Sequence, residues 1–167
     1  MPFTPFHLGP AVLIGLFLRK YIDFPTFVAA NLVVDLRATL IFFGLMEGTL
    51  HGFLHTFLFG SLLGIALGSL MYRIIPSTSS FMKFFELEQL TDFGSFIAAG
   101  VLGTGTHVLL DSFLYTDIQP LTPLNTNPFY GIIPNPNSLV YGFTIVSFFI
   151  GAIYYFHIYS EKLKTNV

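Results

Sequence analysis

Long apolar stretches separated by short polar ones form the main pattern of this chain. Five stretches are rich in phenylalanine, leucine, isoleucine, valine and glycine, and they cover residues 7–20, 24–45, 50–71, 93–114 and 139–160. A helix needs ~20 apolar residues to cross ~30 Å of hydrocarbon, so the first stretch is short and the other four are long enough. The pattern predicts an all-α integral membrane bundle of about five transmembrane helices, forming one domain over residues 1–167.

Two polar segments interrupt the apolar pattern, at residues 77–92 and 116–138. The second is rich in proline and asparagine, and irregular backbone of this kind does not lie exposed to lipid. We therefore expect residues 116–138 to form a loop outside the hydrocarbon and to govern substrate choice. The opening residues, MPFTPFHLGP, carry no lysine or arginine. A signal peptide begins with a positively charged region, so the first apolar stretch is expected to stay in the mature protein.

Composition agrees with the apolar pattern. Hydrophobic residues make up 53% of the chain and charged residues 10%, whereas soluble domains carry about 25% charged residues. The net charge of -2 carries little information, but the lack of a basic run or of interleaved aromatic and basic residues argues against nucleic-acid binding. The chain has no cysteine, which removes disulfides, thiolate metal sites and cysteine nucleophiles. Any bound metal must therefore use nitrogen and oxygen ligands.

Lysine and arginine predict the orientation, because short cytoplasmic loops are enriched in them. With five crossings, the basic residues that follow the first, third and fifth stretches fall on one side of the membrane: Arg19, Lys20, Arg73, Lys83, Lys162 and Lys164. This predicts an outside N-terminus, a cytoplasmic C-terminus and an outside loop at residues 116–138. Arg37 lies inside the second stretch, and an ionisable residue at that depth indicates a functional site.

Histidine and aspartate residues in four of the apolar stretches are predicted to meet near the outer face. The set consists of His7, Asp35, His51, His55, His107 and Asp111. Residues four apart share a helical face, so His51 with His55 and His107 with Asp111 each predict a pair of ligands. Imidazoles and carboxylates are costly in hydrocarbon unless they are compensated, and a divalent cation compensates both. The six residues therefore predict a metal site.

The donor types suit zinc, with manganese or iron as alternatives, and one or two ions. A metal-bound water with a lowered pKa would make such a site hydrolytic. Two other classes of protein compete with this interpretation. Histidine pairs on transmembrane helices ligate b-type haem, but the two aspartates argue against haem. Divalent-metal and proton transporters also use intramembrane carboxylates and histidines, but no inverted repeat is visible in the chain.

Other polar or small residues have structural interpretations. His157, in the aromatic run YYFHIYS, is expected to anchor the chain at the membrane interface, and Glu47 is expected to be a solvated turn residue. Arg37 is interpreted either as a catalytic residue or as the counter-ion of an aspartate. The glycines of GSLLGIALGS, at positions 60, 64 and 68, predict a small-residue face for helix packing.

Four motifs, taken in order, resemble the YdjM-like family of prokaryotic membrane-bound metal-dependent hydrolases. They are TPFHLGPA, VVD, LHGFLHTFLFG and THVLLDSFLYTDIQPLTP, and they cover most of residues 3–130. More remotely, the order of donors is similar to that of zinc-dependent phospholipase C, an all-helical enzyme that cleaves phosphodiesters. The resemblance implies an enzyme of the prokaryotic cytoplasmic membrane, and the orientation predicted from lysine and arginine places its site toward the outer face. The implied substrate is a phosphoester or related bond in a lipid or lipid-linked molecule.

Carried over by motif, the resemblance implies metal ligands at His7, Asp35, one histidine of the 51/55 pair, His107 and Asp111. Asp111 is the candidate bridging ligand, and Asp35 or Asp111 the candidate proton acceptor. Arg37 would offset negative charge in the transition state. Thr56, Asp117 and Asn127 are candidates for supporting the ligands or contacting substrate.

The chain departs from both patterns. Arg37 stands where the YdjM-like families usually place a second acidic residue, which argues against a full second metal site. The further histidine and HxxxE ligands of the phospholipase cluster are also missing. A centre of one or two metals is therefore expected in place of three.

Overall fold

The computed structural model describes residues 5–74, 83–85, 87 and 92–165. Within these ranges the chain is helical and has no strand, which confirms the predicted all-α class. The described part contains α1 (Pro5–Leu18), α2 (Phe24–Val33), α3 (Leu36–Phe42), a 3-10 turn (Phe53–His55), α4 (Phe57–Arg73), α5 (Phe93–Leu114) and α6 (Pro136–Thr165). Most of the polar segment 77–92 lies outside the described residues.

The apolar helices fit membrane association. By length and composition, α5 and α6 can each cross a membrane. α2 and α3 together qualify as a third span that is bent by 44° at the break between them. α1 and α4 are apolar but shorter, with 14 and 17 residues. Among the described residues, two helices can therefore span a membrane, or three if the bent pair is counted as one.

The continuous helix predicted over residues 24–45 is broken in two. Its first part begins at a well-formed cap, where an Asp23 side-chain oxygen accepts hydrogen bonds from the Thr26 backbone N–H at 2.9 Å and hydroxyl at 2.6 Å. The break then places Asp35 between α2 and α3. Gly44 follows the second part with φ of 70°, a left-handed conformation that glycine adopts without strain and that terminates helices.

The helix predicted over residues 50–71 begins later than expected. Its first residues are extended or form the 3-10 turn, and the α-helical part starts only after Thr56. The Thr56 hydroxyl oxygen caps α4 by accepting a hydrogen bond from a backbone N–H of the first turn at 3.2 Å. The prediction that His51 and His55 share a helical face is therefore wrong, because this cap excludes both residues from the helix.

Glycine residues bring α4 and α5 into direct backbone contact. Gly60, Gly64 and Gly68 are buried on one face of α4. A Cβ atom at Gly64 would lie 2.5 Å from the carbonyl oxygen of Gly100, and one at Gly68 would meet the backbone of Phe96. This order of contacts makes the two helices antiparallel. The predicted packing face is confirmed, since helices approach closely where small residues line the contact.

The helix directions give the bundle two distinct ends. α1 and α6 run parallel, with Gly9 against the backbone of Thr144 and, further along, Arg19 hydrogen-bonded to Tyr154. At one end of the bundle, α1, α4 and α6 begin and α5 ends. We call this end the site end. The opposite end, which we call the basic end, carries Arg19, Arg73, Lys162 and Lys164.

Candidate metal centre

Two carboxylates and two imidazoles meet at the site end of the bundle. They belong to Asp35, His55, His107 and Asp111, which we call the metal group, and one ligand atom of each lies within 4.8 Å of all the others. Their side chains are between 0% and 2% exposed. Burying four such groups in an apolar bundle is costly unless they are compensated, so this cluster is a candidate site.

The distances within the metal group match the ligands of a single ion. His55 Nε2 lies 3.4 Å from Asp35 Oδ1 and 3.6 Å from Asp111 Oδ2. His107 Nε2 lies 3.4 Å and 3.3 Å from the same two oxygens. Two donors bound to one tetrahedral zinc at ~2.0–2.1 Å are about 3.3 Å apart. Four nitrogen-to-oxygen edges of the group therefore have nearly the length that a shared metal ion requires.

Hydrogen bonds within the described residues leave part of the metal group unsatisfied. His107 Nε2 and both carboxylate oxygens of Asp111 are buried without a hydrogen-bond partner there, although the ring nitrogen and Oδ2 are 3.3 Å apart. Buried polar atoms nearly always have a partner, and an ion between them would supply one. His55 Nε2 and Asp35 Oδ1, 3.4 Å apart, are hydrogen-bonded, so a metal ion would chiefly satisfy the atoms of His107 and Asp111.

Each ligand reaches the metal group from a different kind of local structure. His107 and Asp111 lie one turn apart on the continuous helix α5, which confirms the predicted pair on a helical face. Asp35 comes from the break between α2 and α3, and His55 from the 3-10 turn. The helix positions its two ligands more precisely than the irregular segments position theirs, because ligands on regular elements are held better than ligands on loops.

His7, which is predicted from the sequence to be a metal ligand, lies beside the metal group and is not one of its four members. Its Nε2 atom is 3.1 Å from Asp111 Oδ1, the carboxylate oxygen other than the one near His55 and His107. Its ring stacks on that of His107 with the centroids 3.9 Å apart. Asp111 therefore lies between two sets of nitrogen donors, the position expected of a bridging ligand.

His51 is held outside the metal group by Asp117. The Nδ1 atom of His51 lies 2.9 Å and 3.1 Å from the two Asp117 oxygens, while its Nε2 atom is buried without a partner in the described structure. The ring centroids of His51 and His55 are 5.0 Å apart. A carboxylate on one ring nitrogen fixes the tautomer and directs the other nitrogen. Because His51 is not in the metal group, the role of Asp117 in supporting ligands or contacting substrate stays a prediction.

Tyr115 belongs to the surroundings of the site and was not predicted. Its ring lies 4.2 Å from that of His51. Burial raises the pKa of its hydroxyl well above the usual range, so the group stays neutral. The signal in the sequence is its spacing, because Tyr115 follows Asp111 by four residues just as Asp111 follows His107.

The other predicted residues hold backbone around the site. Arg37 donates a hydrogen bond to the carbonyl oxygen of Thr49 at 2.7 Å, which places its guanidinium on the loop before the 3-10 turn. The side-chain amide of Asn127 donates to the carbonyl oxygen of Ser112 at 2.9 Å and so secures the loop after α5. Thr56 caps α4, as described above.

Two residues lie apart from the site, in agreement with the sequence. His157 is on an exposed part of α6 toward the basic end, which is consistent with an anchor at the membrane interface. Glu47 is exposed in the loop that follows α3. Neither side chain is part of the metal group, so His157 provides a matched control for substitutions of the buried histidines.

An open cavity of about 350 Å³ lies next to the metal group. Its wall includes His51, Thr56 and Asp117, together with Gln119 and Thr122 from the loop after α5. No member of the metal group lines the cavity, but the ring centroid of His51 in its wall is 5.0 Å from that of His55. Its size and polar lining fit the head of a small substrate.

These features define a class of protein: an apolar, all-helical and membrane-associated chain whose buried histidine and aspartate group can hold a metal ion. Comparison of the chain with protein-family models, with curated proteins and with solved structures gave no match. An activity must therefore be inferred from the chemistry of the site itself, because function resides in a site and not in a fold.

Proposed function

We propose that this protein is a membrane-bound metal-dependent hydrolase that cleaves a phosphoester or related bond in a lipid or lipid-linked substrate. The observation that carries the proposal is the set of four nitrogen-to-oxygen distances of 3.3 to 3.6 Å among Asp35, His55, His107 and Asp111. Zinc is the expected ion, because it favours tetrahedral sites with nitrogen and oxygen ligands. The resemblance to the YdjM-like hydrolases supports the same class of reaction.

A divalent ion in the metal group would polarise the scissile bond and lower the pKa of a water molecule. Four protein donors are typical of a structural zinc site, whereas a catalytic site keeps a position for water or substrate. Zinc also expands to five ligands in some catalytic sites. The proposal therefore requires that the ion be both bound and reactive, and its test must measure the two properties separately.

The carboxylates and His7 provide a route for a proton. Asp111 Oδ2 faces the nitrogens of the metal group, while its Oδ1 lies 3.1 Å from His7 Nε2. A proton taken up at Asp111 Oδ1 would pass to His7 once a hydrogen bond forms across these 3.1 Å. We propose that Asp111 and His7 move the proton and that Asp35, whose carboxylate is buried in the metal group, acts as a ligand.

The cavity beside the metal group is proposed to bind the polar head of the substrate. Its wall presents the His51 and Asp117 pair together with threonine and glutamine side chains. Arg37 is proposed to act through the loop it holds, because its partner Thr49 also lines the cavity. Arg37 is thus a positioning residue in this proposal. The apolar part of the substrate is proposed to extend from the cavity into the membrane.

We further propose five crossings, with the N-terminus outside and the site toward the outer face of a prokaryotic cytoplasmic membrane. The basic residues that end α1, α4 and α6 support this orientation, because they collect at the end of the bundle opposite the metal group. If the chain crosses the membrane five times, α1 is the shortest crossing segment, because its 14 residues span about 21 Å. Such a helix is accommodated by local thinning of the bilayer.

The first test is elemental analysis of protein purified in detergent without chelators. We expect about one or two equivalents of zinc, manganese or iron in the wild type and in the His157→Gln control. His55→Gln and Asp111→Asn should lose most of the metal, since each removes a donor from a buried group. Hydrolysis of bis(4-nitrophenyl) phosphate and release of head groups from phospholipid vesicles are then measured with the same four proteins.

The results separate the proposal from its rivals. Hydrolysis by the wild type that depends on metal and is lost in Asp111→Asn supports the proposal. Wild-type protein that neither contains metal nor regains it on addition contradicts the metal site. A metal-loaded protein without hydrolysis contradicts the enzyme, and flux of the ion into proteoliposomes would then identify a transporter. A Soret absorption band would identify a haem protein.

A further inference from the structure

A second cavity lies between α1 and α6, in the half of the bundle nearer the basic end. It has a volume of about 250 Å³ and is open to the surroundings. Its wall is apolar and is formed by side chains that include Val12, Leu16, Phe24, Leu87, Phe148 and Ala152. We call this cavity the α1/α6 groove. None of its lining residues belongs to the metal group, so the groove is a separate feature of the molecule.

The groove is built as a narrow cleft. Gly151 forms part of its floor, since a Cβ atom there would lie 3.4 Å from the backbone of Leu13. Tyr155 lines the groove and donates a hydrogen bond from its hydroxyl to the carbonyl oxygen of Phe85 at 3.0 Å, which ties a third segment to the two helices. Three separate segments thus line an apolar space of about 250 Å³.

A fixed positive charge stands at one end of the groove. Arg19 donates hydrogen bonds of 3.0 Å to the carbonyl oxygen of Leu16 and to the hydroxyl of Tyr154. Its guanidinium carbon also lies 5.6 Å from the centre of the Tyr154 ring. Leu16 lines the groove, and Tyr154 packs against the cluster of Leu16 and Leu87. The charge is therefore attached to the wall of an apolar cleft.

We propose that the α1/α6 groove binds an acyl chain of an anionic phospholipid whose phosphate contacts Arg19. An apolar cleft on a membrane-associated helix pair is covered by hydrocarbon, and an arginine at its end adds selectivity for phosphate. In the orientation proposed above, the basic end faces the cytoplasmic leaflet, where anionic lipids are concentrated. Binding at this site needs no metal and is independent of the proposed hydrolysis.

The test uses photo-crosslinking in nanodiscs that contain trace phosphatidylglycerol or phosphatidylcholine with a diazirine in the acyl chain. For the wild type, we expect the phosphatidylglycerol probe to label α6 peptides about fivefold more than the phosphatidylcholine probe. Ala152→Trp should lose the labelling because the indole fills the groove. Arg19→Gln should keep labelling but lose the preference between the two lipids.

Matched variants separate the groove from general effects. Gly142→Trp places the same side chain on α6 outside the groove, where a Cβ atom meets nothing within 4 Å. This variant should be labelled by the probes to the same extent as the wild type. Lys20→Gln removes an exposed charge next to Arg19 and should keep the lipid preference. If Ala152→Trp unfolds, Val12→Phe narrows the groove from the other helix. Equal labelling of folded Ala152→Trp and wild type, or equal labelling of the wild type by both probes, overturns the proposal.

Discussion

Asp111 connects most of the polar chemistry of this protein. One oxygen faces His55 and His107 in the metal group, and the other faces His7. Its side chain is 1% exposed, so a charge at this position is costly without compensation. Removing one partner from a buried set of charges costs far more than the interaction contributes when complete. The candidate site is therefore expected to fail as a unit when a single ligand is replaced.

The two histidines of the LHGFLHTFLFG motif are predicted to differ in their contribution to metal binding. His55→Gln should abolish stabilisation by zinc, because His55 belongs to the metal group, whereas His51→Gln should retain it. A ligand that binds only the folded protein stabilises it by about 2.7 kcal/mol when its free concentration is 100 times the dissociation constant. Thermal unfolding in detergent with and without buffered zinc measures this difference.

The same experiment includes its own check. His157→Gln should show the stabilisation of the wild type, because the residue is exposed and apart from the metal group. Loss of stabilisation in His51→Gln would show that His51 is itself a ligand, as the sequence motif suggests. Retention in His55→Gln would contradict the assignment of the metal group.

At the scale of helices, the contact of α4 with α5 depends on glycine. Gly64→Leu should destabilise the protein by ~1–3 kcal/mol, the usual cost of inserting atoms into a packed interface. The new side chain would meet the backbone of Gly100, which cannot rotate away. Gly105→Leu on α5 is the matched control, since a Cβ atom there meets nothing within 4 Å. Thermal unfolding of both variants in one detergent tests the prediction, and equal effects would contradict it.

The sequence predicts helices well where they are regular and poorly where they break. α5 occupies the predicted residues 93–114, and its His107 and Asp111 lie on one face as expected. The break at Asp35 was not predicted, because apolar residues continue on both sides of it and lipid-facing helices lack an alternating pattern. The late start of α4 was missed for a related reason. Thr56 lies within an apolar run, so the hydrophobic pattern does not reveal its capping role.

The sequence predicts which residues form the candidate site better than it predicts which of them contact one another. All four members of the metal group were among the six predicted ligands, since histidine and aspartate are rare in apolar stretches. The pairing of His51 with Asp117 was not predicted, because it joins residues 66 positions apart through loops. Helical spacing relates residues within one helix only. Contacts between loops depend on tertiary packing, which cannot be predicted from the spacing of residues along the chain.

For the whole molecule, the proposed orientation is testable because the chain has no cysteine. A single cysteine can therefore be introduced without interference. Asn125→Cys in the exposed loop after α5 should react with a membrane-impermeant maleimide on intact spheroplasts. Lys164→Cys near the end of α6 should react only after permeabilisation, because basic residues favour the cytoplasmic side. The reverse pattern of labelling would place the metal group on the cytoplasmic side.

The distribution of the metal group along the chain has a consequence for biogenesis. Asp35 and His55 are synthesised early, whereas His107 and Asp111 follow on α5. A nascent chain that ends before α5 therefore carries a carboxylate and an imidazole that can contact each other but whose partners on α5, His107 and Asp111, do not yet exist. We expect such a nascent chain to keep these residues near water until α5 arrives, so that acquisition of the ion and closure of the bundle are one event late in synthesis.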